Sequence, residues 1–223
     1  MRRILIISLC FIALSLNAQD KLEQTVGEFS EVKVFDRINL KMKASDQNKV
    51  EISGSHKDDV QVVNRNGKLK IRMNISNIYG GEDTVVVLYY KQVDVIDANE
   101  GAMVEVKSII DQYEIDFKTQ EGAEITANVK STYVNCRAVT GGIINITGST
   151  KYQNTTIYTG GELNAKDLIS EILDIDINAG GEAYVYATEV VKAGIKAGGN
   201  IYLYGNPKSV EESKVIGGTI KRM

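Results

Sequence analysis

The chain has 223 residues, 43% of them hydrophobic, with 26 basic and 29 acidic side chains and a formal charge of −3. That length supports one sizeable domain or two small ones, and the mild acidic balance argues against a nucleic-acid partner. Two cysteines, one histidine and no tryptophan leave little material for disulfide or metal chemistry.

Residues 1–18 read as a bacterial secretory signal peptide. Met1-Arg2-Arg3 is basic, Ile4 to Leu16 is apolar relieved only by serines, and Ala18 offers a cleavage point. The apolar run is too short for a comfortable membrane span. Cys10 lacks the small residue expected before a lipidated cysteine, so lipidation there is not expected. Without Arg2 and Arg3 the mature chain carries 24 basic and 29 acidic groups, a charge of −5. Only Cys136 survives cleavage, so no intramolecular disulfide is possible and stability must come from packing and backbone pairing. The protein is expected in the periplasm, on the outer-membrane surface or outside the cell, with no further membrane span.

After a linker at 19–28, residues 29–91 form a distinct N-terminal β region. "EVKVFDRINLKMKAS", "NKVEISGS", "VQVVNRNGKLKIRM" and "TVVVLYYK" alternate or run apolar, and Asn66-Gly67 is a strong hairpin signal. This region predicts antiparallel strands or irregular first coils that cap the open end of a β-helix. Gly80-Gly81 is expected to be a loop rather than a regular corner.

Residues 92–223 are repetitive. Small-residue pairs begin at Gly101, Gly122, Gly141, Gly160, Gly180, Gly198 and Gly217, with spacings of 21, 19, 19, 20, 18 and 19. Taking the first glycine as position 1, position 4 holds Val104, Ile125, Ile144, Leu163, Ala183, Ile201 and Ile220. Position 6 holds Val106, Ala127, Ile146, Ala165, Val185 and Leu203, and position 5 is polar or amphipathic. That is period-two alternation with one buried face. A second strand precedes most corners, as in Ile115-x-Phe117-x-Thr119 and Leu173-x-Ile175-x-Ile177. The copy at Gln153, Thr155 and Ile157 is weaker, and the one at Val210, Glu212 and Lys214 loses the pattern. Each repeat therefore predicts two five-residue strands, a Gly-Gly corner and a return turn. Such units bury their apolar faces only by stacking. The fold class is all-β, a single-stranded parallel, right-handed β-helix of about 19 residues per coil with an N-terminal antiparallel β cap. Pro207 turns the chain into the terminal coil, and Lys221-Arg222 is a plausible charged stop.

The Gly-Gly-x-apolar units, the segment "GNIYLYGNP", the closing "VIGGTIKRM" and the opening "EVKVFDRINLKMK" resemble the head domain of auto-transporter adhesins, the GIN domain of secreted Bacteroidetes proteins. The resemblance covers about residues 29–222. It implies a β-helix and an extracytoplasmic location, and it brings no catalytic residues. Members usually carry Gly-Ser-Gly corners, where this chain has Gly-Gly or Gly-Ala.

Candidate sites emerge from the same register. Repeated glycine corners could cradle an anion, but a tight turn and close coil stacking explain them more simply. Cys136 falls at an inward position and reads as a buried, inert thiol. His56 with Asp58 or Asp59 is a poor metal set; no metal or cofactor is assigned, and no catalytic residue. Acidic groups recur near the corners at Glu100, Glu121, Glu124, Glu162 and Glu182. Of these, Glu162 and Glu182 share a repeat position and could serve a polysaccharide-cleaving enzyme. A solvated face is the simpler reading, because repeats of at most 21 residues leave little material for a cleft. Tyr184 and Tyr202 share position 5, and Tyr186 and Tyr204 share position 7. These four form a predicted outward aromatic patch able to bind a glycan or an envelope protein, or simply to strengthen the sheet. The leading reading is a non-enzymatic secreted or envelope binding module. The alternatives are the carbohydrate-active enzyme and a structural scaffold.

Overall fold

The computed structural model describes residues 21–223; the expected signal peptide lies outside the described residues. The chain enters through β1 (Leu22–Thr25), β2 (Glu31–Val34), β3 (Asn39–Ala44), β4 (Lys49–Gly54), β5 (Val60–Arg65), β6 (Lys68–Met73) and β7 (Thr84–Tyr90). It continues through β8 (Val95–Ala98), β9 (Met103–Val106), β10 (Ile110–Gln120), β11 (Glu124–Val139), β12 (Ile143–Tyr158), β13 (Glu162–Ile177) and β14 (Glu182–Ala197). It ends in β15 (Asn200–Tyr204), β16 (Ser209–Ile216) and β17 (Thr219–Arg222). The architecture is a β-solenoid of about seven turns with an antiparallel N-terminal region.

The alternating pattern does what the repeat predicts. Val104, Ile125, Ile144, Leu163, Ala183 and Ile201 are buried at position 4, and Val106 through Leu203 are buried at position 6. Opposite them, Ile115, Phe117, Val134, Cys136, Leu173, Ile175, Val191 and Ile195 fill the same interior. The weaker copy is a polar inclusion rather than a fault. Gln153 is fully buried; it donates to Thr155 Oγ1 at 3.4 Å and accepts from Ser170 Oγ at 2.6 Å. Buried polar groups are tolerated when they are paired in this way.

Two expectations of the repeat need correction. The strands are not five residues long: β11 to β14 each run 16 residues from one corner to the next. In these four there is also no separate return turn, because each strand bends within its ladder, whereas β9–β10 and β15–β16 keep the predicted turn and β15 the predicted five residues. Gly148 shows how. It sits inside β12 at φ +116, where a Cβ would lie 1.9 Å from the Val129 carbonyl oxygen of the coil below. Only glycine lets the backbones approach that closely at the bend.

The corners are tight turns. At Glu100-Gly101, Glu121-Gly122, Thr140-Gly141 and Thr159-Gly160 both residues have positive φ, and the following N–H closes the turn, as in Ala123 N to Gln120 O at 3.2 Å. This is the type I′ pattern. The second small residue of each pair meets the coil below: a Cβ on Gly142 would stand 2.7 Å from the Thr119 carbonyl.

The N-terminal region is part cap and part coil. β2 lies between β6 and β8, and β3 lies between β7 and β9, all parallel. The first-made level is thus inserted between the second and third. Antiparallel strands then close the outside: β5 on β6, and β4 on β7 with β1 beyond it. Asn66-Gly67 makes the predicted hairpin turn, with φ of 52 and 76. Gly80-Gly81 is more than the expected loop. It belongs to a 3-10 turn at Gly80–Asp83 in the corner position of the β6–β7 level. A Cβ on Gly81 would meet the Asp36 carbonyl oxygen at 1.8 Å.

At the other end β16 keeps the backbone register that its sequence obscures. Val210, Glu212 and Lys214 stand over Val191, Ala193 and Ile195.

Candidate binding face

One sheet of the solenoid carries position 5 outward as a continuous column. Lys41, Glu105, Thr126, Asn145, Asn164, Tyr184, Tyr202 and Lys221 are successive register partners from β3 to β17. Parallel, in-register strands place like positions about 4.8 Å apart, so amides and rings can link coil to coil. Asn164 Nδ2 donates to Asn145 Oδ1 and to Glu162 Oε1, both at 2.9 Å, and Asn145 Nδ2 donates to Glu124 Oε1 at 2.6 Å.

The column ends in aromatics. The Tyr184 and Tyr202 rings stack with centroids 4.8 Å apart and planes 9° from parallel. Tyr184 donates its hydroxyl to Glu182 Oε2 at 2.9 Å, and Asn200 Nδ2 donates to Glu182 Oε1 at 3.2 Å. The carboxylate beside it, with some burial, pushes the Tyr184 phenol up to about 12.

All four predicted tyrosines are half-buried on this face, and Tyr186 is in register with Tyr204. The second pair differs in surroundings. The Tyr186 ring lies against Gly205, where a Cβ would be 3.1 Å from its Cε1. Beside Tyr186 the register with β13 jumps from Ala165 to Ile169, a bulge that pushes exposed Lys166 and Asp167 outward. A shallow trough of about 340 Å³ runs beside the column past Asn128, Asn145, Thr147, Asn164 and Asp167.

The other candidates resolve by geometry. Glu162 and Glu182 are register partners as predicted, and each carboxylate is already engaged by side-chain donors. Six of the seven first corner glycines already donate their N–H to the next coil and do not offer it to an anion. Gly122 N bonds Thr140 O at 3.2 Å, Gly180 N bonds Ala197 O at 2.9 Å, and Gly198 N bonds Ile216 O at 2.8 Å. Cys136 is buried, and burial pushes its thiol up to about 12. His56 Nδ1 lies 2.7 Å from Asn77 Nδ2 and 3.6 Å from Asp59 Oδ2, and no metal-ligating cluster occurs among the described residues.

A second aromatic stack went unpredicted. At the return bend Tyr133 and Tyr152 stack at 4.7 Å and 13°, and Tyr113 leans on Tyr133 at 5.3 Å and 60°. The signal was present, since Tyr133 and Tyr152 each stand eight residues before a corner glycine, Gly141 and Gly160. They fall outside the five-residue strands assumed for the repeat.

Among the described residues no helix is long and apolar enough to cross a membrane. The fold is similar to that of a "putative adhesin" from Bacteroides fragilis, at a TM-score of 0.84 and 17% identity over 92% of this chain and 96% of that one. A "putative adhesin" from Parabacteroides distasonis is similar at 0.74, with 21% identity over 92% and 96%. A "putative lipid binding protein" from the same species is similar at 0.68, with 17% identity over 93% and 98%. No curated protein matches the sequence. The family described as "Putative auto-transporter adhesin, head GIN domain" matches residues 28–207. By that match, across most of its length, the chain belongs to the GIN-domain adhesin-head family.

Proposed function

We propose that the chain is a non-enzymatic, exported binding module whose contact surface is the position-5 face, with a glycan or an envelope protein as partner. The observation that carries this is the column of amides and carboxylates ending in the Tyr184–Tyr202 stack on a rigid sheet. Aromatic rings beside fixed amide donors and acceptors are the groups that recognise sugars and protein anchors. Ring stacking uses the facing surfaces of Tyr184 and Tyr202, so a ligand would meet ring edges and the amide trough beside them. Membership of an adhesin family and neighbours named as adhesins favour binding over turnover. So does the engagement of Glu162 and Glu182 by side-chain donors.

Glycan-array and envelope-extract binding with the chain from residue 19 tests the reading. Tyr184→Ala with Tyr202→Ala should weaken a hit at least about tenfold, as expected for aromatic contact residues, while Tyr133→Ala leaves it unchanged. Equal binding by both variants would remove this face from the account. Release of shortened products from a bound glycan would favour the enzyme instead.

A further inference from the structure

The connection between β6 and β7 carries Ile75, Ile78 and Tyr79 at 84%, 39% and 74% exposure. It is nonetheless well tied down. Asn77 Nδ2 donates to Asp59 Oδ2 at 2.9 Å, and the Asn74 N–H donates to the Asp59 carbonyl at 2.7 Å. The apolar side chains are thus presented by a bonded frame, and clustered apolar exposure of this kind marks an interaction surface.

Beside this loop lies the outer face of the β5–β6 hairpin. β6 turns Leu69, Ile71 and Met73 inward and Lys68, Lys70 and Arg72 outward, and β5 sets Arg65 directly opposite Lys68. Like charges facing across a strand pair oppose its formation. Glu31 offsets Lys68 at 2.8 Å, and Arg72 Nε donates to Gln61 at 3.2 Å. Arg65 and Lys70 have no counter-ion among the described residues. The four cations ring a concavity of about 400 Å³ with half-exposed Val63 in it. Of the acidic groups near the loop, Glu82 is held by Arg37 at 2.9 Å, and that guanidinium lies 5.8 Å from the Tyr79 ring. Asp58 and Asp83 remain exposed, and Asp36, Glu100 and Glu121 line a concavity with Arg37, Ile78 and Tyr79 on the loop's corner side.

We propose that this cap end docks on a phospholipid surface bearing anionic headgroups. Arg65, Lys70 and Arg72 meet phosphate oxygens, and Ile75 and Tyr79 enter the interfacial layer beside them. A soluble polyanion would account for the cations and leave the apolar loop unexplained. An apolar protein partner would do the reverse. The site is independent of the tyrosine face. β7 and β14 are separated by six strand steps in the sheet, roughly 29 Å at 4.8 Å per step, so the two surfaces do not overlap.

Vesicle flotation with the chain from residue 19, which retains every described strand, tests this. Binding is expected to vesicles containing about one-third phosphatidylglycerol, to be absent on phosphatidylcholine alone, and to fall between 0.1 and 0.5 M salt. Arg65→Gln with Lys70→Gln should lower partitioning about thirtyfold. Ile75→Ser with Tyr79→Ser should lower it about tenfold or more at fixed salt. Unchanged circular dichroism and melting confirm that both variants fold. Equal binding to both vesicle types, or none to the anionic ones, overturns the proposal. Salt-sensitive binding that survives the Ile75 and Tyr79 changes also overturns it, since the cations would then hold an anionic surface without the loop entering the interfacial layer.

Discussion

At one end of the solenoid the chain covers its open coil with added strands: β2 and β3 slide between later levels, and β5, β4 and β1 pair antiparallel outside them. At the other end the last described coil changes chemistry instead. β16 and β17 stay in register, but their inward positions hold Glu212, Lys214 and Arg222 above Ala193, Ile195 and Leu203. Arg222 reaches Glu212 across the mouth of the coil at 3.4 Å. The first device completes the packing; the second leaves backbone edges open and makes the next apolar coil costly to stack, since a copy placed there would bury charge. A cap can be made of hydrogen bonds or of desolvation cost, and this molecule uses both.

The largest expected effects test whether the strand-built cap is part of the core or an attachment to it. Leu40, on the inserted β3, and Ile144, in the regular coils, are both buried. Replacing either with alanine should cost about 2–5 kcal/mol. If the inserted level fuses cap and coils into one cooperative unit, calorimetry should find a single, lowered transition for both variants. A Leu40→Ala protein that melts in two steps would show that the cap folds apart from the coils.

The charge-built end should respond differently. Changing Glu212, Lys214 and Arg222 together to valine removes an exposed ion pair worth about 1 kcal/mol or less, so the melting temperature should barely move. What should change is association: an apolar open coil invites a second copy, and sedimentation velocity should show concentration-dependent oligomers in the variant alone. If the variant sediments like the parent, the charges are not what keeps the end from stacking.

The same contrast explains what could be read from the residues. The coils were legible because one rule, apolar at alternate positions after each corner, repeats, and burial of Ile125, Ile144, Leu163 and Ile201 obeys it. The insertion of β2 and β3 was not, because nothing in "EVKVFDRINLKMKAS" says which later strands will flank it. Non-local pairing is decided by the whole interior. The 16-residue strands were missed because the bend is a backbone event inside the ladder, at Gly148 in β12 and at its register partners Val129 and Leu168 in β11 and β13, and carries no turn signal. The Tyr133–Tyr152 stack was missed with them. At the candidate face, register put Tyr184 beside Tyr202 and Tyr186 beside Tyr204 and pointed all four outward, but the ring arrangement was beyond it. Only the structure distinguishes a stacked pair from a ring laid against Gly205.

The smallest expected effect lies on that face and separates a structural from a merely adjacent hydrogen bond. Tyr184 donates to Glu182 in the folded chain, and its phenol is raised from 10.0 to about 12, first by that bond and then by burial. In the unfolded chain it titrates near 10. The folded state therefore holds this proton more tightly, so the bond's contribution is whole below about pH 10 and is lost as the pH rises through about 12. Tyr184→Phe should thus melt slightly below the parent at pH 8, with the gap closing between pH 10 and 12. Difference absorbance at 295 nm should lose a phenol titrating at the upper end of that window. A gap that stays constant to pH 12, or a missing phenol that titrates near 10, would mean that Glu182 stands beside Tyr184 without accepting its proton. The ring stack with Tyr202 would then be what orders this end of the column.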